Sequence, residues 1–168
     1  MTDTPRPDGS TPAAPESAPS PSGTGSDAGQ EALLARLTAA MEGTLLERTG
    51  QRIVSLDASG GVMTMPVAGN TQPAGLLHGG ATIALAESVA SMAAILRARD
   101  VHGEGAQAVG TSVSALHHRS GRSGEVTATC RVIHAGRQLA SYLVEVHDDQ
   151  ERLLSTVTVQ TMLLPPRG

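Results

Sequence analysis

Residues 79–96 form a helix-sized run of Gly, Ala, Ile, Leu, Val, Met and small hydroxyl residues that carries a single charge, Glu87. A helix that is apolar nearly all round cannot rest on a surface; it must be enclosed on more than one side. The run is long enough to tempt a transmembrane reading. Its Ala, Gly and Ser content and its central Glu favour instead a helix buried in a soluble domain. What encloses this helix therefore decides the architecture.

The flanking segments supply the cover. Before the run, residues 30–42 place Leu33, Leu34, Leu37 and Met41 at helical spacing. Extended stretches are expected at 52–57 and 62–67, with Ser59-Gly60-Gly61 as the turn between them. Residues 68–77 read as an irregular loop that delivers the chain to a helix over 78–99, whose Arg97 and Arg99 suit the negative end of its dipole. After it, residues 106–116, 125–135, 139–147 and 153–163 alternate as strands. The short links at Ser120–Gly124, Gly136-Arg137 and Asp148-Asp149 predict antiparallel hairpins. Six antiparallel strands curved around one central helix make an α+β arrangement.

Composition narrows the partners. Residues 1–28 hold six of the ten prolines and no Leu, Ile or Val, so they read as a disordered tail with no apolar core of a secretory signal. One domain is expected over 29–164, with a flexible end at 165–168. Phe and Trp are absent and Tyr142 is the single aromatic residue, so no platform exists for stacking bases. With a net charge of −4 there is no global basic field, and nucleic acid is not an expected partner. A single cysteine, Cys130, rules out an intrachain disulfide framework and reads as a buried structural thiol. No Cys/His spacing marks a metal site, and the chain reads as cytoplasmic.

The tripeptide His78-Gly79-Gly80 opens the apolar run. A helix N-terminus leaves N–H groups unpaired and carries partial positive charge. Glycines there let a ligand oxygen approach the backbone, which is how an oxyanion hole is made. The pair serves equally for tight packing against a sheet, and His78 equally as a helix cap. A lone carboxylate in apolar surroundings is costly to bury, so Glu87 is the first catalytic candidate; its other reading is a solvent-facing side chain. Ser91 lies one turn beyond it, and Gln72 lies six residues before His78. Gly79 and Glu87 stand roughly 12 Å apart at about 1.5 Å per residue, too far for one carbonyl to touch both. Two antiparallel copies of the helix across a two-fold axis would unite them, which predicts a dimer with two composite sites.

Two cationic clusters, His117-His118-Arg119-Ser120 with Arg122, and His134-Ala135-Gly136-Arg137-Gln138, fall at strand ends or turns. They suit phosphate groups or ordinary solvated turns. No Gly-x-Ser-x-Gly is present, which disfavours a serine hydrolase.

The segment from Gln72 to Ser88, QPAGLLHGGATIALAES, resembles the signature of hotdog-fold acyl-CoA thioesterases. It is most similar to the PaaI-like, glutamate-dependent branch that includes 1,4-dihydroxy-2-naphthoyl-CoA hydrolase and one type of 4-hydroxybenzoyl-CoA thioesterase. The likeness continues through Val109-Gly110 and both cationic clusters to Leu164. The resemblance implies a curved sheet around a central helix, a homodimer and a further pairing into a homotetramer. It implies Glu87 as the catalytic carboxylate and the Gly79 N–H as donor to the thioester oxygen. Gln72 and His78 then position carbonyl or water, and Ser91 assists the carboxylate. It further implies CoA contacts at Gly110, at His117, His118, Arg119 and Ser120, and at His134, Ala135, Gly136, Arg137, Gln138 and Leu139. Ser120 stands where that branch often has Pro, and Ala74 replaces a bulkier residue. The activity implied is hydrolysis of an acyl-CoA, with an aromatic acyl group favoured, CoA being part of the substrate and no cofactor needed. The rivals are a non-catalytic acyl-CoA-binding regulator of the same fold, and a dehydratase, whose expected Asp/His motif is absent.

Overall fold

In the computed structural model, which describes residues 27–167, the apolar run lies in α3 (Gly79–His102) against a single six-stranded sheet. Before it come α1 (Asp27–Ala39), α2 (Leu45–Arg48), β1 (Arg52–Asp57) and β2 (Gly60–Pro66). After it come β3 (Gln107–His117), β4 (Glu125–Ala135), β5 (Leu139–Asp148) and β6 (Leu153–Leu164). All pairings are antiparallel, in the order β1-β2-β4-β5-β6-β3, and α3 touches every strand. This is the expected α+β hotdog arrangement. Residues 1–26 of the expected tail and Gly168 lie outside the described residues, while Asp27 and Ala28 already belong to α1.

Period-two patterning builds the core. In β5, Ala140, Tyr142, Val144 and Val146 turn inward, and in β6 Val157, Val159, Thr161 and Leu163 do the same. They meet Leu85, Ala86, Val89, Ala90, Ala93 and Ala94 of α3, where alanines let the sheet approach the helix closely. Each fully buried Val or Leu contributes about 1.5–3 kcal/mol. By length and composition α3 could cross a membrane; here it is the core helix of the sheet. Cys130 is buried in β4, and desolvation, with a smaller push from Asp57, raises its thiol to about 12.

Three expectations change. The Ser120–Gly124 link is no hairpin: β3 pairs with β6 and β4 with β2. β3 runs back along α3 to the helix N-terminus, and the following segment passes that end to reach β2. It is held by Leu77 N–H to Gly121 O (2.8 Å) and Val67 N–H to Gly124 O (2.9 Å). Gly60 and Gly61 belong to β2, leaving Ala58-Ser59 as the turn. A Cβ on Gly61 would stand 2.4 Å from Ser55 O, and one on Gly60 would stand 2.0 Å from Cys130 O, so these glycines admit neighbouring backbones. The first helix ends at Ala39, not 42, because a turn with Gly43 at φ 72° leads into α2.

Candidate active site

The loop before α3 sets the helix N-terminus. Asn70 donates its side-chain N–H to Thr49 O (2.8 Å) and Pro66 O (2.9 Å), and its carbonyl accepts from His78 N–H (2.9 Å). Gln72 closes its own turn, donating to Leu76 O and accepting from Gly75 N–H. His78 is the N-cap, with extended backbone at φ −71° and ψ 128°. Its Nδ1 accepts from Gly80 N–H at 2.8 Å, so that nitrogen carries no proton and Nε2 does. The cap reading of His78 is thus realised, and Gly80 is used up as a donor. Gly79 N–H, the first of the helix, has no acceptor among the described residues.

A cleft of about 290 Å³ opens at this terminus, lined by Gln72, Gly79, Thr82, His117, Arg119 and Ser120 among others. Adjacent strand residues face opposite sides, so the two histidines part. His117 Nδ1 meets Ser155 Oγ at 2.9 Å while its ring packs on Gly79; His118 Nε2 meets Thr156 Oγ1 at 2.9 Å. Arg119 donates to Leu153 O at 3.0 Å. Gln72, Gly79, His117, Arg119 and Ser120 are therefore together, and His118 is not with them.

Glu87 opens on a different cleft, about 310 Å³, lined by Leu45, Leu46, Ala84, Ser91, Met92 and Ile95 among others. The side chain is half-buried, not enclosed as its apolar surroundings predict, because the sheet leaves this stripe of α3 uncovered. The carboxylate forms no hydrogen bond or ion pair among the described residues; Ser91 shares its face without bonding it. Gly110 of β3 lies beside it, a Cβ there standing 3.2 Å from Glu87 Oε1. Gly110 thus sits with the carboxylate and not with the cationic clusters.

The second cluster lies at the other end of α3, roughly 35 Å away by the rise of about 1.5 Å per residue. A cleft of about 480 Å³ is lined there by His134, Gly136, Arg137, Gln138, Leu139 and His102. Ala135 takes part through its carbonyl, which accepts from Arg97 Nη2 at 3.2 Å. Among the described residues no three His, Cys, Asp or Glu gather as metal ligands would.

Sequence reasoning missed α2, which brings Leu45 and Leu46 to Glu87. Its signal was present: Thr44-Leu45-Leu46-Glu47 has the Thr-x-x-Glu spacing of a capping box. Thr44 Oγ1 accepts from Leu46 N–H at 3.2 Å, and Glu47 Oε2 accepts from Gly43 N–H at 2.6 Å. Ser155 and His102 were also missed, since only tertiary structure brings them to their clefts.

The profile of the thioesterase superfamily matches residues 74–155. The proofreading thioesterase EntH of Cronobacter turicensis is 41% identical over 132 residues, spanning 78% of this chain and 93% of that protein. A solved thioesterase variant from Pseudomonas aeruginosa superposes with a TM-score of 0.73 at 34% identity, covering 79% of this chain and 94% of that one. A thioesterase from Haemophilus influenzae gives 0.72 at 29% identity, covering 79% and 90%.

Proposed function

Because this chain belongs to the thioesterase superfamily, as a PaaI-like hotdog thioester hydrolase, we propose that it hydrolyses an aromatic acyl-CoA at two sites shared across a homodimer. The observation that carries this reading is that Gly79 and Glu87 line separate clefts of the same helix, and neither the Gly79 N–H nor the Glu87 carboxylate has a partner among the described residues. Each is half of a site.

The edge of the sheet supports the pairing. Among the described residues β3 is an unpaired edge eleven residues long, with Val109 and Leu116 exposed. Unpaired edges of that length invite a second strand. Pairing β3 with its copy across a two-fold axis carries Glu87, seated beside Gly110, toward Gly79 of the second chain. Exposed Val109, Met162 and Leu139 form one row on the outer face, which supports further pairing to a homotetramer. The two cationic clusters stand at opposite ends of α3, so one CoA meets both only when two chains contribute.

In this mechanism Gly79 N–H polarises the thioester carbonyl and stabilises the developing oxyanion. Gln72 and the Nε2–H of His78 orient carbonyl or water. Glu87 of the second chain either attacks to give a mixed anhydride or takes a proton from water, with Ser91 beside it. The leaving thiolate is a weak base, with a thiol pKa of about 8.5, and needs no strong acid. Neither metal nor redox cofactor is required; CoA is substrate. The apolar lining from Leu45, Leu46, Met92 and Ile95 suits a flat aromatic acyl group. The proofreading relative supports a part in clearing unwanted acyl thioesters, and we place the soluble enzyme in the cytoplasm.

Thiol release over a panel of aromatic and aliphatic acyl-CoAs tests the reading. Aromatic esters should turn over fastest, and Glu87→Ala should abolish turnover while fold and dimer persist. Substantial turnover by Glu87→Ala would sink the assignment. Binding without thiol release would mark a regulatory module.

A further inference from the structure

His102 Nε2 lies 2.7 Å from the carbonyl oxygen of Arg137. A carbonyl cannot donate, so Nε2 carries the proton and donates. Five residues earlier on α3, Arg97 donates to the carbonyl of Ala135, its Nε buried without a partner among the described residues. A third carbonyl of this β4–β5 tip, that of Gln138, accepts from Leu163 N–H at 2.8 Å. Three carbonyls are thus drawn onto α3 and β6. The N–H groups of Arg137 and Gln138, by contrast, have no acceptor among the described residues. A turn whose carbonyls are engaged and whose N–H groups are free is polarised toward an anion. Arg137 brings a guanidinium to the adjoining cleft, which His134 also lines.

We propose that His102 is a positioning residue that clamps the Ala135–Gln138 tip into a phosphate-binding shape and so sets the preference for CoA over phosphate-free thioesters. The inference rests on the acyl-CoA reading above. His102 does not touch the reacting atoms; it acts through Arg137. Without the clamp the tip must be ordered on binding, and the phosphate contacts lose part of their affinity.

The test uses the full chain with His102→Ala and His102→Gln, the latter keeping an N–H donor without the ring. Calorimetric Kd for CoA should weaken about tenfold in His102→Ala, the scale of one charge-assisted hydrogen bond. It should return to within about twofold of the parent in His102→Gln. KM for benzoyl-pantetheine, which has no phosphate, should stay unchanged in both, as should kcat. An unchanged CoA Kd in His102→Ala, no recovery in His102→Gln, or a parallel rise in KM for the pantetheine ester overturns the proposal. CoA binding is read without turnover. Failure of the parent to hydrolyse any acyl-CoA therefore counts against the proposed function, and a flat Kd counts against the clamp.

Discussion

His117 rests its imidazole on Gly79: a Cβ at position 79 would stand 2.9 Å from Nε2. The ring is held from the other side by Ser155. Gly79 and the end of β3 therefore share one cleft, and the Gly79 N–H has no acceptor among the described residues. Gly79→Pro deletes that N–H; its Cβ also displaces the His117 ring, as Gly79→Ala does while keeping the N–H, so Gly79→Ala is the reference for the N–H. Proline is well tolerated at the first helical position, and His78 already has the extended backbone that precedes proline comfortably. Relative to Gly79→Ala we expect kcat to fall about 10²–10³-fold, the loss typical of one oxyanion donor, with helicity by circular dichroism unchanged.

Gly110 guards the opposite partner. A methyl group there would come to 3.2 Å from Glu87 Oε1, so Gly110→Ala must push the carboxylate by a few tenths of an ångström. Small displacements at a reacting group are expensive, about 100-fold for 1 Å. Steady-state kinetics should show kcat lowered about tenfold, with little change in Tm.

Gly60 carries no chemistry and should show the reverse pattern. Its Cβ position lies 2.0 Å from the backbone oxygen of Cys130, which cannot move without parting β2 from β4. Gly60→Ala should destabilise the fold by about 3 kcal/mol or more, read from urea unfolding.

Acid should weaken the β5–β6 turn. Asp148 accepts from Arg152 Nε at 2.8 Å and from the N–H groups of Gln150 and Arg152, each at 3.0 Å. The Arg152 side chain, foremost, holds the Asp148 carboxyl below its usual 3.8. A carboxyl depressed in the folded state adds stability above its unfolded pKa and loses it as pH falls through the folded one. Tm should therefore drop on acidification below about pH 4, and the drop should be shallower in Asp148→Asn, which keeps the acceptor oxygen.

Local pattern foretold much of this molecule, and the failures share a cause. The starts of β4, β5 and β6 and all of β1 fall where alternation places them, because one buried face imposes period two. Gln72, His78 and Gly79 gather because one short loop and the helix it feeds contain all three. Strand order was not legible: the link after β3 has the length of a hairpin, and only the packing of β3 along α3 sends it elsewhere. Gly60 and Gly61 carry a turn's composition but serve close backbone contact. Likewise Gly110 beside Glu87, and His102 beside Arg137, are meetings of distant segments that no spacing reveals.

The shared site is tested most directly by mixing two crippled chains. Glu87→Ala and Gly79→Pro homodimers should each be nearly inactive. Co-refolded in equal amounts, half of the dimers pair one chain of each kind, and every such dimer regains one intact site of two. The mixture should recover about one quarter of the parent kcat on an aromatic acyl-CoA. If Glu87 instead serves the Gly79 of its own chain, no mixed dimer contains an intact site, and the mixture will stay as inactive as its components.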